Sequence, residues 1–114
     1  MKHFHYDEVE SAEVNVSGAK GVRVRWLISP EDGAPNFCMR RFEIAPGGTT
    51  PHHRHPWEHE VYILEGAGTV VSAGTEKPLR TGDVVYVPPD EDHHFAGDQK
   101  NGVVLLCLIP KEGK

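Results

Sequence analysis

Cysteine occurs only twice in the 114 residues, at Cys38 and Cys107, too few for the disulfide framework of a small secreted domain. Both lie in apolar, strand-like segments, so reduced, buried thiols are expected and no disulfide. Positive charge is also in deficit. The formal net charge is −5 with acidic and basic residues interspersed, which leaves no basic stripe for a nucleic-acid partner. No apolar run approaches the length of a membrane span, and the opening Met1–Glu8 lacks the apolar centre of a secretory signal. A soluble, cytoplasmic protein without a membrane partner is therefore expected. Helical periodicity is missing throughout, so helix content should be near zero.

What is present is strand pattern. Residues 1–114 should form one domain, long enough for one core but not for two. Residues 1–20 are polar and weakly patterned, and read as an exposed or loosely paired N-terminal arm whose His3 and His5 take no ligand role. Val22, Val24, Trp26 and Ile28 alternate with Arg23, Arg25 and Leu27, the period of a half-buried strand. In Phe37–Ile44 both faces carry apolar residues. The more apolar set, Cys38, Arg40, Phe42 and Ile44, is assigned inward, which would direct one charged side chain, Arg40, into the interior; a surface ion pair is the alternative. Ala73-Gly74-Thr75 marks a hairpin turn expected to lie far from any site. Val103–Ile109 is apolar at every position, so both its faces should be covered, one by the interior and the other by a second subunit. A homodimer follows as the expectation. On that strand Val103, Leu105, Cys107 and Ile109 share the face assigned to the interior. Pro110 ends the strand, and Lys111–Lys114 reads as a charged tail. About nine or ten short strands separated by Gly, Pro, Asn and Asp turns point to an all-β barrel.

Histidine is abundant, with eight in the chain, and it is clustered. The stretch Gly47–Gly66, GGTTPHHRHPWEHEVYILEG, holds His52, His53, His55 and His59. Side chains alternate faces along extended backbone, so His53 and His55 point one way while His52 and Arg54 point the other. His59 follows the Pro56-Trp57-Glu58 kink and shares a face with Val61 and Ile63. Three imidazoles converging on an apolar interior outline a metal site. A second stretch, Gly82 to Phe95, has a glycine turn, the β-branched run Val84–Val87, a proline bend and then His93 and His94.

The two stretches resemble the paired motifs of the cupin superfamily, G-x5-H-x-H-x3,4-E-x6-G and G-x5-P-x-G-x2-H-x3-N. Gly47, His53, His55 and Gly66 fall on the first, over residues 47–66; Gly82, Pro88 and His93 fall on the second, over residues 82–97. His59 stands where the first motif has its carboxylate, Asp90 where the second has glycine, and Gly97 where it has asparagine. HPWEHE and the closing CLIPKEG are similar to small, single-domain, manganese-binding cupins of thermophilic bacteria. The resemblance implies a double-stranded β-helix, or jelly-roll, barrel. It also implies an all-histidine ligand set of His53, His55, His59 and His93. His52 and His94 are read as neighbours or surface residues, and Glu58 and Glu60 as outward charges with a lesser reading as general bases.

Four neutral imidazoles would leave a divalent ion its full charge, and two adjacent positions would stay open for a bidentate ligand or for substrate and dioxygen. By donor type the ion could be Fe(II), Ni(II), Cu(II) or Zn(II); Mn(II) is favoured by the resemblance alone. The candidate pocket is Arg40, Phe42, Phe95, Leu105, Cys107 and Ile109, mostly apolar with one anion-binding group, which suits a small-molecule ligand. The leading expectation is an oxygenase-type enzyme on a small organic substrate. Its alternatives are a non-redox isomerase or lyase, which lacks a clearly inward carboxylate base, and a binding module without turnover.

Overall fold

The computed structural model describes Met1–Lys114. Eight strands carry the chain: β1 (Ala12–Glu13), β2 (Lys20–Ile28), β3 (Phe37–Thr49), β4 (His59–Ser72), β5 (Thr75–Arg80), β6 (Val84–Val87), β7 (His93–Gly97) and β8 (Val103–Pro110). Strand residues make up 54% of the chain and helical ones 8%, the latter confined to single 3-10 turns at Tyr6–Glu8, Pro30–Asp32 and Lys111–Gly113. The all-β expectation holds.

Closure comes from the two long strands. The first half of β3 lies between β2 and β8, with Arg40 opposite both Trp26 and Cys107, whereas its last residue, Thr49, pairs with Ala96 of β7. Likewise β4 pairs through His59–Tyr62 with β6 and through Glu60–Gly66 with β8, then through Gly68–Ser72 with β7 and through Ala67–Ser72 with β5. Each long strand therefore changes neighbours along its length, which closes the eight-stranded sheet into a barrel. This explains why there are eight strands instead of nine or ten. Pro46, Gly47 and Gly48, beyond the strand end expected at Ile44, lie inside β3, and Gly66 lies inside β4. Gly66 has φ 85°, and a Cβ there would fall 2.2 Å from the Gly102 carbonyl oxygen, so the bend requires glycine.

Alternation sets the core. In β8, Val103, Leu105, Cys107 and Ile109 are buried and Val104, Leu106 and Leu108 half-buried. Cys38 and Ile44 of β3 meet them with Val61 and Ile63 of β4 and Phe95 of β7. Both cysteines are buried and free. Ala73-Gly74 forms the two-residue turn between β4 and β5, both in the left-handed region, with φ of 49° and 77°.

The N-terminal arm is mostly exposed and loosely paired, as expected, with β1 joined to β2 over two residues and Val14 donating its N–H to Val22 across 2.9 Å. Two expectations need correction. The C-terminal Lys111–Gly113 is a docked turn, not a free tail; Lys114 pairs with Glu31 at 2.9 Å, its ammonium 4.7 Å from the Trp26 ring. The β4–β5 hairpin is also close to the histidines, since Ser72, the residue before its turn, pairs directly with His93.

Candidate metal centre

A short backbone bridge brings the two histidine stretches together. His53 donates its N–H to the His93 carbonyl at 3.1 Å and accepts the His93 N–H at 2.9 Å. The His55 carbonyl accepts the N–H of Asp90. Asp90 has φ 65°, the left-handed conformation that the glycine of the second motif adopts without strain and aspartate tolerates better than most residues. His59 opens β4 opposite Val87, and His93 opens β7.

The side chains converge. One donor nitrogen from each of His53, His55 and His93 lies within 4.8 Å of the others. The Nε2 atoms of His53 and His55 are 3.1 Å apart. Trp57 stacks on His55 at 4.7 Å, its ring tilted by 3°. His93 Nδ1 lies 2.9 Å from the Glu91 carbonyl oxygen, a bond in which the ring donates, leaving the Nε2 lone pair for the interior. His59 packs against this triad with ring centroids 4.8 Å from His93 and 5.3 Å from His55. Its Nδ1 is 3.3 Å from Cys107 Sγ, and its buried Nε2 has no hydrogen-bond partner.

These groups fit a metal ion. An orphaned, buried imidazole nitrogen is costly unless something binds it. Ligating imidazoles must be neutral, and the surroundings of His53, His55 and His59 favour that form. Burial, then Arg40 and the neighbouring histidines, push His59 down to about 3. Burial first and His55 next push His53 down to about 4. His55 is lowered as well, chiefly by burial. Burial raises the Cys107 thiol, against the opposing pull of Arg40.

The cavity in front of the histidines has a volume of about 190 Å³. Arg40, Phe42, Phe95, Leu105 and Cys107 line it together with all four predicted ligands. Ile109 does not. The Gly113 turn and Trp57 cover it; a Cβ on Gly113 would meet Ile109 Cδ1 at 2.9 Å and Trp57 Nε1 at 2.8 Å. The lining also includes residues the sequence did not single out for the pocket, Val14, Val16, Val22, Thr50, Pro51, Trp57 and Gly113. Of these only Trp57, set between two ligands, carried a readable signal. His52 and His94 pair with each other on the outside, Nδ1 to Nδ1 at 2.9 Å, and Glu58 and Glu60 lie along an outer groove with Phe37 and Leu108. A larger depression of about 750 Å³, bordered by Glu13, Arg23, Glu43 and Glu65, contains neither histidine nor cysteine.

Known proteins share this frame. The chain is 31% identical over 100 residues to an oxalate-binding protein of Thermotoga maritima, covering 83% of this chain and 81% of that one. It is 32% identical over 109 residues to the polyketide synthase CurC of Streptomyces cyaneus, covering 90% and 71% respectively. The solved structure of the polyketide cyclase RemF from Streptomyces resistomycificus superposes with a TM-score of 0.92 at 35% identity, covering 97% of this chain and 80% of that one. The family model described as "Cupin domain" matches residues 40–109, from the inward arginine of β3 to the end of β8. With both motifs inside that match and the barrel closed around them, the chain belongs to the Cupin_2 family.

Proposed function

We propose that this chain is a metal-dependent enzyme in which His53, His55 and His93, completed by His59, hold one divalent transition-metal ion against a small carbonyl compound. The observation that carries the reading is the triad of donor nitrogens within 4.8 Å, facing a cavity whose lining includes no Asp or Glu. An ion held there would supply Lewis-acid polarisation of a carbonyl oxygen. His53 and His59 are kept neutral, and an imidazole ligand adds no counter-charge, so the centre stays strongly electrophilic. Cys107 sulfur lies beside His59 Nδ1, which leaves Nε2 as the unpartnered nitrogen of that ring. Phe42, Phe95 and Leu105 exclude water from one side, and Trp57 fixes the plane of His55.

The relatives include a polyketide cyclase and a polyketide synthase protein, and carbon–carbon bond formation between carbonyl groups begins with loss of a proton beside an activated carbonyl. We therefore place the reaction with non-redox enolisation of a small dicarbonyl compound, the proton passing to water at the cavity mouth because no carboxylate lines the cavity. Oxygenase chemistry gains no support from these relatives. Mn(II) is the proposed ion on the resemblance to manganese cupins alone.

The test is proton exchange. Metal-loaded protein in D2O should accelerate deuterium incorporation between the carbonyls of acetylacetone, followed by NMR, and metal-free protein should not. Equal rates for both would contradict the reading. Oxygen uptake in the same vessel would favour an oxygenase, and tight binding without exchange a binding module.

Assembly as a homodimer belongs to the same proposal. Tyr62, Leu64, Val84 and Tyr86 are exposed on β4 and β6. Tyr62 pairs with both Val84 and Leu106, so this patch runs on into the half-buried outer side of β8. Sedimentation should give about twice the 12.7 kDa chain mass. The two free thiols support a reducing, cytoplasmic setting, and no helix is long and apolar enough to cross a membrane.

A further inference from the structure

Arg40 is the one charged side chain of the cavity besides its histidines. The neighbouring arginines have carboxylate partners: Arg25 lies 3.7 Å and Arg41 2.9 Å from Glu43. Arg40 has none. Its Nη2 donates to Cys107 Sγ at 3.0 Å and lies 3.4 Å from His59 Nδ1, while its buried Nε has no partner at all. The guanidinium carbon is 4.8 Å from the Phe42 ring and 5.3 Å from the Trp26 ring, so aromatic faces hold the group in place without neutralising it. A permanently charged, partly desolvated guanidinium with unused donors costs stability unless an anion meets it. A cation bound by the adjacent imidazoles would sharpen the imbalance, because both charges are positive and no Asp or Glu lines the cavity.

We infer that Arg40 makes this cavity a receptor for a small carboxylate, its anionic group paired with the guanidinium and a neighbouring carbonyl oxygen turned toward the histidines. The cavity of about 190 Å³ sets the size. At roughly 30 Å³ per water it holds the equivalent of about six waters, enough for a short 2-oxo acid with a branched apolar tail. Phe42, Phe95 and Leu105 give that tail an apolar wall. The inference adds the charge class of the substrate to the proposed function. It rests on that reading only for the contact to the carbonyl oxygen.

Calorimetric titration of Zn(II)-loaded protein with 3-methyl-2-oxobutanoate and with its neutral methyl ester tests this. The wild type should bind the acid at least about tenfold more tightly than the ester, the scale of one charge-assisted hydrogen-bonded pair. Arg40→Met should lose that preference and Arg40→Lys should keep part of it. Equal binding of acid and ester by the wild type, no binding of either, or undiminished acid preference in folded, metal-loaded Arg40→Met would overturn the assignment. The same titration without Zn(II) separates the two readings. An acid preference that persists there and still depends on Arg40 supports the receptor, even if the metal centre fails its own test.

Discussion

Acid should unfold the metal-free protein through His59. The ring is 6% exposed and is held at about 3, first by burial and then by the Arg40 guanidinium. In the unfolded chain an ordinary histidine titrates near 6.5. Between these two values the unfolded chain binds a proton at this position that the folded chain refuses. Stability is therefore fully present above about pH 6.5 and falls as the pH drops toward 3, by about 1.4 kcal/mol per unit well inside that window. From pH 7 to pH 5 the loss from this one group integrates to about 2 kcal/mol, a large share of the roughly 5–15 kcal/mol typical of a folded domain. His53, held at about 4, acts in the same direction but is less enclosed. The assay is urea unfolding of chelator-treated wild type and His59→Leu at both pH values. Subtracting the two pH differences cancels the contribution of every other histidine. With a urea slope of about 1–3 kcal/mol per molar, the wild-type midpoint should fall by roughly 1 M more than that of the variant. The same fall in both proteins would refute the argument that His59 is held neutral by its surroundings.

Two further outcomes follow from the same geometry. His52→Ala and His94→Ala break the exposed imidazole pair on the outer side of the barrel and should each change metal stoichiometry by less than a tenth, measured by elemental analysis. Cys107→Val should keep the metal while weakening it severalfold, because the sulfur contacts His59 without being needed as a donor, and a bulky thiol reagent should not label Cys107 in the folded protein, where it is 3% exposed.

Much of the site was legible because periodicity and motif spacing agreed. Alternation along extended backbone put His53 and His55 on one face and His52 on the other, and the structure keeps both statements, with His52 turned out to His94. The inward direction of Arg40 followed from the more apolar of two faces, and Cys107 from the same logic on β8. Other features left no such trace. Val14 and Val16 alternate with Glu13, Asn15 and Ser17 in a run too short to read as a strand, and Gly113 sits in the closing turn; all three reach the cavity through long-range contacts that local pattern does not encode. Pro46-Gly47-Gly48 and Gly66 look like turns but serve as bends within continuous strands, since a strand that changes neighbours needs the same backbone freedom as a turn. Ile109 has the parity of a pocket residue, yet the terminal turn and Trp57 stand between it and the cavity.

The central claim is that His53, His55 and His93, with His59, form one metal centre. Metal content by elemental analysis, after loading with Mn(II) and removal of excess, tests it most directly. The account predicts about one ion per chain in the wild type, a drop of at least roughly tenfold in affinity in each of His53→Ala, His55→Ala and His93→Ala, and a measurable loss in His59→Ala. A wild-type protein that retains no ion from Mn(II), Fe(II), Ni(II), Cu(II) or Zn(II), or a folded His93→Ala that binds as tightly as the wild type, would contradict it.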